Sequence, residues 1–153
     1  MEIIKKENLI DKKYTLSMYK DIDINVADDE YMIISNNKRV LEKFENVIWV
    51  DGEFIDVLNT SKKFVEKRHK IISYPLAASI RMIYSPVRSI LISTKAYSLD
   101  ELSIEVIEKG IEKYNITMGK RQVDRKNISG YELIDYDLIV SAIRENDFIK
   151  NII

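Results

Sequence analysis

Four short apolar runs constrain this chain more than any other feature: Tyr31-Met32-Ile33-Ile34, Val47-Ile48-Trp49-Val50, Lys70-Ile71-Ile72-Ser73 and Val87-Arg88-Ser89-Ile90-Leu91-Ile92. Short, near-continuous apolar runs bounded by turn residues are expected of strands buried on both faces. The segments between them carry a different period. After Ser35-Asn36-Asn37, which reads as a turn and helix cap, Val40, Leu41 and Phe44 recur at helical spacing. Asp51-Gly52 ends the second run and can cap the next helix, in which Phe54, Val57, Leu58, Phe64 and Val65 fall on roughly one face. This alternation predicts an α/β fold. The expectation is a single three-layer domain with a mostly parallel sheet of about four to five strands, flanked by helices and joined by right-handed crossovers.

A chain of 153 residues suits one domain, and 46% hydrophobic residues suffice for a full core. Residues 1–30 read as an N-terminal extension, with a short strand at Tyr14–Tyr19 and an acidic stretch ending in Asp28-Asp29-Glu30. Residues 31–153 form the α/β domain with its C-terminal helix. Ser98-Leu99-Asp100-Glu101 matches a capping box. The helix it opens runs to about Asn115, with Leu99, Leu102, Val106, Ile107, Ile111 and Tyr114 as its stripe. Gly110 interrupts that helix at a cost of about 1 kcal/mol relative to alanine, through tolerance or close packing against a neighbour. Residues 118–130 read as a polar loop. A last helix from about Asp135 carries Leu138, Ile139, Ala142, Ile143 and Ile149, and its apolar end suits docking on the domain or on a partner.

Composition excludes several function classes. The chain has no cysteine, so disulfides, thiolate catalysis and cysteine zinc sites are out. Net charge is -1, from Lys+Arg 24 against Asp+Glu 25, which offers no general attraction to nucleic acid or anionic lipid. No apolar run approaches the about 20 residues of a membrane span, and the first residues lack the apolar core of a signal peptide. The expectation is a cytoplasmic protein that engages neither nucleic acid nor membrane.

In open parallel sheets, ligands bind beyond the carboxyl ends of the strands. Those ends hold Asn36 and Asn37, Asp51, and Ser73 with Tyr74, and the Pro75–Pro86 loop starts at the same edge. Singly, Asn36, Asn37 and Asp51 read as helix caps and turn formers; together they read as a polar crevice. Ser79, Arg81, Arg88 and Ser89 add the makings of an anion site, since arginine presents a planar fork to carboxylate or phosphate. The bland reading is that both arginines face solvent or pair with an acid. His69, the only histidine, suits general acid–base work by its ordinary pKa. Its place between a helix and a strand suits a helix C-cap better. A lone histidine leaves only carboxylates for metal ligands, so no metal and no cofactor are expected. Lys120, Arg121, Arg125 and Lys126 make a basic loop without aromatic interleaving, which reads as solvated surface. Trp49 and Phe44 read as core.

Ser35-Asn36-Asn37, Val50-Asp51-Gly52 with Asp56-Val57-Leu58, His69-Lys70, Pro75-Leu76-Ala77-Ala78-Ser79-Ile80 and Pro86-Val87-Arg88-Ser89-Ile90-Leu91, in that order, resemble the GrdX family. These small proteins are encoded with the glycine/sarcosine/betaine reductase system of amino-acid-fermenting anaerobes. The resemblance covers about Tyr31 to Tyr114 and leaves the C-terminal helix outside. The Pro-Leu-Ala-x-Ser loop is its most specific element. Tyr74 stands where the family commonly has histidine, Ala78 where it has glycine, and Arg81-Met82 where Lys-Pro is typical.

The resemblance implies a metabolic setting and no defined reaction. The expectation is a cytoplasmic accessory protein linked to amino-acid reductase metabolism. It would bind a small anionic ligand, or a reductase-system protein, through Asn36, Asn37, Asp51, Ser73, Tyr74, Ser79, Arg81 and Arg88. Two alternatives stay open: an enzyme acting on a small carboxylate or phosphorylated metabolite, and an interaction module that forms homo-oligomers through the C-terminal helix.

Overall fold

The computed structural model describes residues 31–152. The N-terminal extension and its Tyr14–Tyr19 strand lie outside the described residues. Four strands and four helices follow one another as β1 (Tyr31–Ser35), α1 (Lys38–Lys43), β2 (Val47–Trp49), α2 (Phe54–Glu66), β3 (His69–Ile71), β4 (Ser89–Ala96), α3 (Glu101–Met118) and α4 (Ile128–Ile152). A short 3-10 helix, Ile80–Tyr84, lies in the connection from β3 to β4.

The strands form one sheet in the order β2-β1-β4-β3. β1 and β2 are parallel, with Ile34 opposite Ile48. β4 lies between β1 and β3 and runs antiparallel to both, with Ser35 opposite Ser89 and Ile71 opposite Ile92. The sheet is therefore mixed, which corrects the mostly parallel sheet expected from the sequence. The cause is the connection from β3 to β4. It contains no α-helix to carry the chain back along the sheet, so β4 returns beside β3 in the opposite sense.

Period-two alternation sends successive strand residues to opposite faces. Met32, Ile34, Ile48, Ile90 and Ile92 pack with Phe54, Val57, Leu58, Phe64 and Val65 of α2 and with Ile107, Tyr114 and Met118 of α3. Ile33, Val47, Trp49 and Leu91 pack with Val40 and Leu41 of α1 and with Ile139 and Ile143 of α4. Trp49 is core, as expected, and its indole Nε1 has no hydrogen-bond partner among the described residues. Phe44 is half-buried beside Tyr136, ring centroids 6.1 Å apart.

The helix ends depart from the sequence reading in detail. Asn37 caps α1, its Oδ1 accepting from the Arg39 amide at 3.0 Å. Asp51-Gly52 does not cap α2; Glu53 does, and its amide donates to the Asp56 carboxylate at 2.7 Å. α3 begins after Asp100 rather than Ser98, and Leu99 and Leu102 are exposed, not part of its buried stripe. That stripe runs through Ser103, Ile107, Gly110, Tyr114 and Met118. A Cβ on Gly110 would stand 3.0 Å from Pro75, so close packing is its role. α4 starts at Ile128, two turns before the expected Asp135. No helix among the described residues is long and apolar enough to cross a membrane.

Candidate functional site

The direction of β4 puts its first residues at the carboxyl edge of β1, and there the polar residues of the chain meet. Ser35 and Ser89, paired in register, bring their hydroxyls to 2.8 Å. Asn36, the next residue of the chain, uses its whole amide. Its Nδ2 donates to the Gly52 and Pro86 carbonyls, both at 2.9 Å, and its Oδ1 accepts from the Arg88 amide at 2.8 Å. One side chain thus ties the ends of three segments together. Asn37 faces α4, where its Nδ2 donates to the Glu132 carbonyl and to Asp135, both at 2.9 Å.

Asp135 is the centre of this network. It is 0% exposed, on the inner face of α4 with Ile139 and Ile143. Its Oδ1 accepts from the Ser89 amide at 2.9 Å, and its Oδ2 accepts from the Ser89 hydroxyl at 2.7 Å and from Asn37. Its ion-pair partner is Arg88, whose Nη1 lies 3.8 Å from Oδ1. A buried charge is tolerated only when paired and hydrogen-bonded, and Asp135 meets both conditions.

Arg88 is 6% exposed. Its Nε donates to the Pro75 carbonyl at 2.9 Å and its Nη2 to the Tyr74 carbonyl at 2.8 Å. The guanidinium therefore fixes the start of the Pro75–Pro86 loop, while Gly110 lets Pro75 come close from the other side. Burial pushes the Arg88 pKa down from its ordinary value and Asp135 opposes the shift. An arginine with a carboxylate beside it keeps its proton. Two of its five N–H groups are held by carbonyls, and the 3.8 Å approach to Asp135 exceeds hydrogen-bond length.

A crevice of about 160 Å3 opens beside this arginine, lined by Ser73, Tyr74, Ala77, Arg88, Ser89, Leu138, Ile139, Ala142 and Glu145. Ser73 Oγ accepts from the Leu91 amide at 2.8 Å, which leaves its hydroxyl proton free to donate. Tyr74 stands at the rim, 76% exposed. Leu138, Ala142 and Glu145 come from α4, so the crevice lies between the sheet edge and the C-terminal helix.

Of the residues singled out in the sequence, Ser73, Tyr74, Arg88 and Ser89 line this crevice, and Asn36 and Asn37 build its frame. Asp51, Ser79 and Arg81 are exposed and do not line it. His69 is at the far end of the sheet, opposite Ala96 rather than Ser89. It does not cap α2, which is closed by Lys67 and by Arg68 in the left-handed region (φ 80). Its Nδ1 lies 2.8 Å from the Ser93 carbonyl and its ring sits edge-on to Phe64 at 5.3 Å. In the basic loop, Arg125 pairs with Glu53 at 2.8 Å and Arg121 lies over the Tyr84 ring at 5.0 Å. The described residues contain no group of three or more histidine or acidic side chains placed to hold a metal ion.

Asp135 and Glu145 escaped the sequence reading. Asp135 did leave a signal. It lies four residues before Ile139 and eight before Ile143, an acid on an apolar stripe, and such an acid needs a buried partner. Arg88, inside an apolar run, is that partner.

No curated protein and no solved structure matches the chain. A family model described as GrdX-like protein does match, over residues 32–144. The match runs past Tyr114 and through most of α4, so it takes in Asp135, Leu138 and Ala142 as well as the β3–β4 loop, and the C-terminal helix is not outside the family region. With the sheet, the β3–β4 loop and most of α4 inside a match that spans well over half of the chain, the chain belongs to the GrdX-like family.

Proposed function

We propose that this chain is an accessory protein of amino-acid reductase metabolism that binds a small carboxylate in the crevice beside Arg88. One observation carries the reading: a buried arginine lines a small crevice with N–H groups that no acceptor within the described chain takes up. Two carbonyls hold the guanidinium plane fixed, so a ligand meets a pre-oriented fork, the arrangement that favours bidentate carboxylate recognition. Ser73 supplies a further donor. Because Asp135 nearly neutralises Arg88 and Glu145 adds a negative charge at the crevice wall, a doubly charged phosphate is disfavoured against a single carboxylate. The helices on either face of the sheet act as a rigid frame for this edge. The metabolic link rests on the family, and a coding region remote from any reductase gene removes it.

The test is thermal unfolding of the full chain with formate, acetate, glycolate and inorganic phosphate. A ligand at a hundred times its Kd stabilises by about 2.7 kcal/mol. Carboxylates are expected to raise Tm more than phosphate does. Arg88→Lys, which keeps the charge and loses the fork, and Leu138→Trp, which narrows the crevice, both remove the shift. His69→Ala, at the far end of the sheet, keeps it. No shift with any of the anions, or an undiminished shift in Leu138→Trp, refutes the site. An acid–base role for His69 has no support in this geometry. The exposed Tyr74 favours a second reading, in which the rim takes a reductase-system protein; Tyr74→Asp then weakens that complex and leaves carboxylate binding intact.

A further inference from the structure

The outer face of α4 carries residues that neither the core nor the crevice uses. The helix spans Ile128–Ile152, and its inner stripe is Tyr131, Asp135, Ile139 and Ile143. On the opposite side, at spacings of four, eight, eleven and fifteen from the first, stand Leu133, Asp137, Ser141, Arg144 and Phe148. Leu133 is 48% and Phe148 65% exposed. Asp137 and Arg144 are exposed and make no ion pair or hydrogen bond with the described residues. The order along this stripe is apolar, acid, small polar, base, apolar.

That order is its own complement when reversed. We propose that the outer face of α4 binds a second copy of this chain, the two helices antiparallel about a two-fold axis between Val140 and Ser141. The axis sets Leu133 against the partner's Phe148 and Asp137 against the partner's Arg144, and repeats both contacts on the other side. A parallel pairing instead places Asp137 on the partner's Asp137 and Arg144 on the partner's Arg144. Charge therefore selects the antiparallel arrangement and rejects the parallel one. Small Ser141 at the axis lets the helices approach. The contacting stretch is about 22 Å long, one helix face per copy, which puts the interface at the weak and reversible end of protein association. Leu138 and Glu145 lie on the flank of α4 toward the crevice, so pairing leaves the crevice open.

The experiment is sedimentation equilibrium of the full chain from about 10 µM to about 1 mM. Wild type is expected to show a monomer–dimer equilibrium. Asp137→Arg and Arg144→Asp each create two like-charge contacts and weaken dimerisation about tenfold or more. Both sites are exposed, so circular dichroism and Tm stay at wild-type values. An equimolar mixture of the two variants, and the double variant Asp137→Arg/Arg144→Asp, both restore the dimer, because every reversed charge again meets its opposite. A wild type that is monomeric throughout, single variants that dimerise like wild type, or a mixture that stays monomeric overturns the proposal.

Discussion

Replacing Asp135 by alanine is expected to be among the most destabilising single changes in this domain. The carboxylate is fully buried and accepts from the Ser89 amide at 2.9 Å, the Ser89 hydroxyl at 2.7 Å and the Asn37 amide at 2.9 Å. Each donor left unsatisfied costs about 1–3 kcal/mol. Arg88, at 3.8 Å, loses its ion-pair partner. The gross attraction at that distance is about 4 kcal/mol at an effective dielectric of 20, largely offset in the intact pair by the cost of burying both charges. The separate costs do not add in full, because the site can relax and admit water. Truncating one side of a buried ion pair costs about 3–5 kcal/mol, and that is the expected loss.

Arg88→Met also leaves a buried charge without its counter-charge, but should cost less, because Asp135 keeps its three hydrogen bonds while the Tyr74 and Pro75 carbonyls lose a donor. Urea unfolding followed by circular dichroism measures both changes. With a slope of about 2 kcal/mol per molar, Asp135→Ala lowers the midpoint by about 1.5–2.5 M. A loss under about 1 kcal/mol, or a larger loss in Arg88→Met, refutes the view that Asp135 organises this edge.

Gly110→Ala should give none of the roughly 1 kcal/mol that alanine normally adds to a helix interior, because its Cβ meets Pro75 at 3.0 Å; a stability gain of that size in urea unfolding counts against the close packing. Arg68 sits in the left-handed region at φ 80, just past the end of α2, so Arg68→Gly should raise stability by about 0.5–1 kcal/mol, and a measured loss contradicts that reading. Burial, followed by the nearby charges of Glu53 and Asp56, pushes the Tyr114 hydroxyl above its ordinary pKa. Its contribution is therefore complete below the ordinary tyrosine value of about 10 and is lost as pH rises through the folded value; relative to wild type, Tyr114→Phe should lose less stability as pH rises past about 10, and parallel pH profiles refute this.

The strands and helices were legible because their periods differ. Ile33 and Ile34 go to opposite faces of the sheet, and both faces are apolar, so β1 reads as a continuous run. Helix ends were less legible because capping is decided by single side chains that compete. Ser98 has the right chemistry to open α3, yet the helix begins after Asp100, whose carboxylate takes the Ser103 hydroxyl. Leu102 extends the apolar pattern of α3 and nonetheless faces water, since it stands about 100° round the helix from Ser103 on the buried stripe. His69 stood out by being unique, and rarity carries no geometric information. What decided its role was register, which places it at the opposite end of β3 from Ser73.

The error about strand direction and the visibility of the site are linked. In a parallel sheet, the first residues of a strand lie at the edge away from the carboxyl ends of its neighbours. Arg88 and Ser89, at the start of β4, would then be a strand's length from Asn36, and no single crevice could include both. Antiparallel β4 removes that separation, since Ser89 pairs with Ser35 and the Arg88 amide reaches Asn36 at 2.8 Å. The long β3–β4 connection stays at one edge for the same reason and can offer the Tyr74 and Pro75 carbonyls to the guanidinium it helps to bury. Two charges inside otherwise apolar stretches, Arg88 just before β4 and Asp135 on a helix stripe, already required a buried pairing. A parallel β4 cannot place Arg88 at the edge where Asp135 meets Asn37, and an antiparallel β4 does. An unexplained charge in an apolar run is thus evidence about topology as well as about the site.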